Sequence, residues 1–158
     1  MSIVQTNLNY TYEIMREDLI NLKNKYSFLE MGSIGKSVLG RELYGVKIGN
    51  GSKKVFYNAA IHANEWITAV VLMKFIEDYS EAFVNNQNIF GYNATELYNN
   101  FSLYLVPMVN PDGVNLAARQ KPCSSSSRPC PVAPEIFCRV PSGSDFETLN
   151  PRIQDAGP

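Results

Sequence analysis

Histidine occurs once in these 158 residues, at His62, and tryptophan once, at Trp66. A single imidazole excludes a multi-histidine metal cluster within the chain and throws the weight onto whatever surrounds His62. Cysteine is absent before Cys123 and then appears as Cys123, Cys130 and Cys138, an odd number with no Cys-x-x-Cys pair and no histidine nearby. That pattern supports neither a disulfide framework nor a zinc knuckle. No apolar run approaches the ~20 residues of a membrane-spanning helix, so the membrane is not an expected partner. Residues Met1 to Gln5 lead into polar sequence without a basic and then apolar signal, and as written the chain is expected in the cytoplasm. There is also no basic stripe: 14 Lys and Arg are scattered against 15 Asp and Glu, and nucleic acid is not an expected partner.

What is present is the composition of an ordinary globular domain, 45% hydrophobic and 11% aromatic. The character changes near residue 119. Seven of the nine prolines, the Ser124 to Ser127 run and four of the six arginines fall within residues 119–158, where neither a helical nor a strand period continues. The chain therefore divides into a domain over 1–118 and a Pro/Ser-rich tail over 119–158. The tail reads either as a flexible linker or as sequence foreign to the domain, and no function is expected of it.

Within the first part, Tyr12, Met15, Leu19, Leu22 and Tyr26 recur at helical spacing, which predicts an amphipathic helix over residues 10–26. Glu42 to Ile48 reads as a strand ending at the Gly49-Asn50-Gly51 turn. Val55 to Ile61, an almost unbroken apolar run, predicts a central strand buried on both faces. Trp66, Ala69, Val70, Met73 and Ile76 then predict a helix through about Tyr79, and Leu103 to Val109 a second buried strand stopped by an Asn110-Pro111-Asp112-Gly113 turn. Strand, helix, strand in that order predicts an α/β sheet, with a site outside the carboxyl ends of its strands.

At one such end stands His62-Ala63-Asn64-Glu65. Side chains three residues apart in a helical turn project to one side, so an imidazole and a carboxylate converge there, and both are zinc donors. A His-x-x-Glu pair is common by chance, but the end of a buried strand is a poor place for polar groups without a partner. Among the other polar and aromatic residues, Trp66 reads as a core anchor and Asp112 as a turn residue rather than an acid or base. Asn93 reads as the cap of a short helix through Leu97, and Tyr98, Phe101 and Tyr104 as packing residues.

Residues IHANEW (61–66), the helix ITAVVLMKFIEDY and the later VPMVNPDGVNL resemble the zinc carboxypeptidase family. The match is close over residues 53–79 and 103–116 and reaches loosely back to Tyr10. The resemblance implies the N-terminal part of a mixed-sheet α/β domain with helices on both faces. It also implies a zinc (Zn2+) peptidase acting on peptides, with His62 and Glu65 as its first two metal ligands. Asn64 falls where animal digestive members carry a substrate-binding arginine. Asparagine cannot make that bidentate charged contact to a terminal carboxylate. The departure is similar to bacterial relatives that cleave γ-D-glutamyl-diaminopimelate bonds in peptidoglycan peptides, and leaves Asn64 as the candidate substrate-binding position.

The family's third ligand, a downstream histidine, has no counterpart, because His62 is the sole histidine. The family's glutamate base and second arginine motif are also not found, and Arg119 and Arg128 receive no role. The resemblance thus implies an incomplete and inactive peptidase; the alternative is a non-catalytic binding protein that retains a half-domain.

Overall fold

The computed structural model describes residues 2–119, so the Pro/Ser-rich tail lies outside the described residues apart from the backbone of Arg119. The first helix, α1 (Tyr12–Lys25), forms where the apolar period predicts it. The Thr11 side chain caps its start by accepting from the Ile14 amide, and Lys23 and Lys25 sit in its last turn, where a helix dipole favours positive charge. Its buried stripe of Tyr12, Met15, Leu19 and Leu22 is the stripe read from sequence.

Strands β1 (Glu30–Lys36) and β2 (Glu42–Ile48) pair antiparallel, and β2 also pairs antiparallel with β6 (Phe101–Val106), which runs parallel to β3 (Lys53–Asn58). The sheet order is β1-β2-β6-β3. A small β4 (Asn88–Ile89) and β5 (Tyr92–Asn93) ribbon separates α2 (Trp66–Val84) from α3 (Ala94–Asn100), and α4 (Pro111–Arg119) follows β6. The α/β class and the mixed sheet are as expected.

Three expectations are corrected. First, among the described residues β3 is the last strand in the order rather than a central one, and Tyr57 is 53% exposed. Its apolar sequence describes a strand suited to the interior of a sheet, while its burial depends on neighbours that no local pattern encodes. Second, β6 runs over 101–106 rather than 103–109, because Pro107 has no N–H to continue a ladder. Third, Asn110-Pro111-Asp112-Gly113 starts α4 instead of forming a free turn. The Asn110 side-chain oxygen accepts from the Gly113 amide, and Pro111 stands at the first helical position, where its missing N–H costs nothing.

Register places Val46 beside Leu105, and Ile48 beside Leu103, on one face of the sheet. These side chains join α1, α2 and α4 in a single buried cluster that includes Met15, Leu22, Met73, Ile76 and Val114. Of the two faces expected to carry helices, this is the one that the long helices α1 and α2 cover among the described residues. Between β2 and β3 the chain passes close under the start of β6. A Cβ at Gly51 would overlap the Asn100–Phe101 backbone, and Gly49 (φ 98) adds a left-handed turn only glycine adopts freely. The predicted cap and packing roles hold: Asn93 accepts from the Glu96 amide, Tyr98 stacks on Phe83 at 4.2 Å, and Trp66 packs against the core.

Candidate metal centre

Because β3 and β6 are parallel, their carboxyl ends share one edge of the sheet. After Asn58 the chain does not turn directly into α2. Ala59 and Ala60 stay hydrogen-bonded to the β6 side, through Ala59 N–H to Val106 O and Asn110 N–H to Ala60 O. Ala60 then adopts φ 51, a left-handed conformation that alanine takes only under constraint. The reversal redirects the chain off the sheet, so that His62 leads into a single 3-10 turn, Ala63–Glu65, which packs beside α4.

Thr68, in the first turn of α2, holds this loop at both ends. Its hydroxyl accepts from the Ala60 amide at 2.8 Å and donates to the Glu65 carbonyl at 2.7 Å. Thr68 is not among the residues that motif or periodicity marks out in the sequence. The available signal was a hydroxyl residue three positions after Glu65, spaced to reach back to that carbonyl.

Within the turn, His62 Nδ1 lies 2.9 Å from Glu65 Oε1. Both side chains face outward, 77% and 50% exposed, and neither points into the apolar interior. Asn64 is exposed in the same turn. The two candidate ligands and the candidate substrate residue therefore share one solvent-facing loop at the carboxyl end of β3. An imidazole nitrogen and a carboxylate oxygen that converge in solvent fit two positions of a zinc site. No group of three or more His, Cys, Asp or Glu side chains able to hold a metal occurs among the described residues.

The neighbouring Asp112 departs from the turn role expected of it. Its side chain is buried and takes up a charged contact from Arg41 Nη1 at 2.5 Å, the Ser37 hydroxyl at 3.0 Å and the Leu39 amide at 2.9 Å. Asp112 thus fastens the β1–β2 hairpin loop to the start of α4, on the same edge of the sheet as His62. Asn115 performs the matching task for α1, accepting from the Tyr12 amide at 2.8 Å and donating to Glu13 at 2.7 Å. Neither tie was legible locally, since each spans more than 70 residues.

The zinc carboxypeptidase family profile matches residues 15–143. The chain belongs to the zinc carboxypeptidase family. The matched stretch includes the His62–Glu65 turn and runs past the change of composition at residue 119. The chain is 44% identical over 124 residues to γ-D-glutamyl-L-diamino acid endopeptidase 1 of Lysinibacillus sphaericus, covering 78% of this chain and 31% of that protein. It is 40% identical over 109 residues to the YqgT protein of Bacillus subtilis strain 168, covering 68% and 29%. The fold is similar to that of bovine thrombin-activatable fibrinolysis inhibitor bound to tick carboxypeptidase inhibitor, with a TM-score of 0.60 and 20% identity over 70% of this chain and 34% of that one. The chain thus spans about a third of the length of the relatives it matches.

Proposed function

We propose that this chain supplies the first two ligands, His62 and Glu65, of a zinc peptidase that hydrolyses peptide bonds in peptidoglycan peptides. The observation that carries the metal role is the 2.9 Å approach of Nδ1 to Oε1 between two outward-facing side chains at the end of β3. The substrate class draws on the Lysinibacillus relative, a γ-D-glutamyl-L-diamino acid endopeptidase, and on the exposed Asn64. A carboxamide cannot form the bidentate charged grip that arginine makes on a terminal carboxylate, which suits cleavage within a peptide better than removal of its last residue.

Zinc, when bound, supplies Lewis-acid polarisation of the scissile carbonyl and acidifies a bound water. In this chain, His62 offers an imidazole nitrogen and Glu65 a carboxyl oxygen, while Thr68 and the strained Ala60 hold the loop that presents them. A catalytic zinc takes three protein ligands, and the sequence contains no second histidine. By itself the chain binds zinc through two donors and hydrolyses peptides negligibly.

Calorimetric zinc titration with a parallel assay on γ-D-glutamyl-diaminopimelyl peptides tests this. Expected are one weak site, well short of the ~10–16 kcal/mol of complete structural zinc sites, its loss in His62→Ala, and no turnover. Tight zinc binding that survives His62→Ala would sink the assignment of the ligands, and turnover by this chain alone would sink the division of the site.

A further inference from the structure

The Gly49-Asn50-Gly51 turn between β2 and β3 holds the one Asn-Gly dipeptide of the sequence. Asparagine followed by glycine is chemically labile, because glycine has no side chain to obstruct its nitrogen as that nitrogen attacks the carboxamide. In that reaction the Gly51 amide gives up its proton, its nitrogen bonds to Asn50 Cγ, and ammonia leaves as a succinimide closes. Water then opens the ring at either carbonyl and leaves aspartate or isoaspartate at position 50. Water enters and ammonia departs, with no change of oxidation state.

The fold leaves the carboxamide reachable and immobilises the nitrogen. Asn50 is exposed, but its N–H donates to the Tyr98 carbonyl at 3.0 Å and the Gly51 N–H to the Phe101 carbonyl at 3.2 Å. The buried Ser102 hydroxyl reaches the Gly51 carbonyl at 2.7 Å and that of Gly49 at 3.4 Å. Gly51 also packs directly on the backbone of Asn100 and Phe101, with no room beside it for a Cβ. Ring closure takes the proton that Phe101 accepts and draws the nitrogen toward Asn50 Cγ. It thereby shifts a backbone that Ser102 grips and that has no free space to move into. We infer that Asn50–Gly51 is a deamidation site held latent by this packing, and that local opening of the β2–β3 connection commits it. Isoaspartate routes the chain through the side-chain carbon and lengthens the backbone by a methylene, in a turn that cannot take even a methyl group on Gly51. The modified turn cannot restore the pairings with Tyr98 and Phe101 together, so a transient opening becomes permanent.

The experiment incubates the full chain at mildly alkaline pH, in buffer and in unfolding urea, and follows conversion at position 50 by peptide mapping and mass spectrometry. Only the opened fraction reacts, so conversion in buffer should be slower than in urea by about tenfold or more. Equal rates overturn the inference. Ser102→Ala removes one grip on the turn and should speed conversion in buffer roughly two- to tenfold, with no effect in urea. Asn110→Ala weakens the fold beyond the opposite end of β6 and should leave the rate in buffer unchanged. An acceleration equal to that of Ser102→Ala would make global unfolding the controlling event and overturn the local hold. Asn50→Gln should abolish conversion at this position, and its persistence there would overturn the assignment of the site. When urea is removed, the unmodified chain should regain its circular dichroism and the chromatographically separated isoaspartyl form should not; an isoaspartyl form that refolds as well as its parent overturns the claim of permanence.

Discussion

Replacing Thr68 with valine removes one hydroxyl and almost no volume, and thereby isolates what holds the His62–Glu65 loop in place. Two hydrogen bonds are lost, with different consequences. The Glu65 carbonyl lies in an exposed turn and can turn to water at little cost. The Ala60 amide cannot: Ala60 is 1% exposed, and Thr68 is the partner its N–H has in this turn. Orphaning a buried donor costs about 1–3 kcal/mol. That is comparable to the ~1–3 kcal/mol that a strained φ such as that of Ala60 itself requires from its surroundings. The loop should therefore relax toward an unstrained backbone and let His62 and Glu65 separate.

Urea unfolding followed by circular dichroism should show a loss of about 1–3 kcal/mol in Thr68→Val. The sole imidazole gives an unambiguous NMR signal, and zinc titration should move it less in this variant than in the parent. Thr68→Ser keeps the hydroxyl and should restore both readouts. Equal stability and equal zinc response in Thr68→Val would refute the reasoning, as would a serine variant as damaged as the valine one.

Glu77 is fully buried on α2, where it accepts from Ser2, from the Ile3 and Val4 amides and from Lys74, strapping the N-terminal segment down. Burial pushes its carboxyl pKa up, but the Ile3 amide, Lys74 and Ser2 outweigh that and hold it below the usual range. A depressed folded value means that this stabilisation is present above the ordinary glutamate pKa and is lost as pH falls through the depressed one. Glu77→Gln should cost about 1–3 kcal/mol at neutral pH and flatten the acid limb of a stability profile measured by denaturant unfolding. Asn110→Ala removes the cap of α4 and should cost about 1 kcal/mol by the same measurement, with unchanged stability arguing against the cap.

The residues themselves determined the helix α1, the strand β2, the start of α2, the cap at Asn93 and the His62–Glu65 pair. Each depends on interactions within a few positions: a 3.6-residue apolar period, a side chain reaching its own helix start, two donors one turn apart. The Asn110-Pro111-Asp112-Gly113 segment was ambiguous for the same reason, since a capped helix start and a turn begin with the same residue types. Only the tertiary structure decided that Asp112 clasps Arg41 and Ser37, that Asn115 ties α4 to α1, and that β3 is the last strand of the sheet among the described residues. Those outcomes depend on partners more than 70 residues away or on which strand lies alongside, and local spacing carries no record of either. An apolar strand states what environment it suits; the neighbours present in the fold decide whether it receives it.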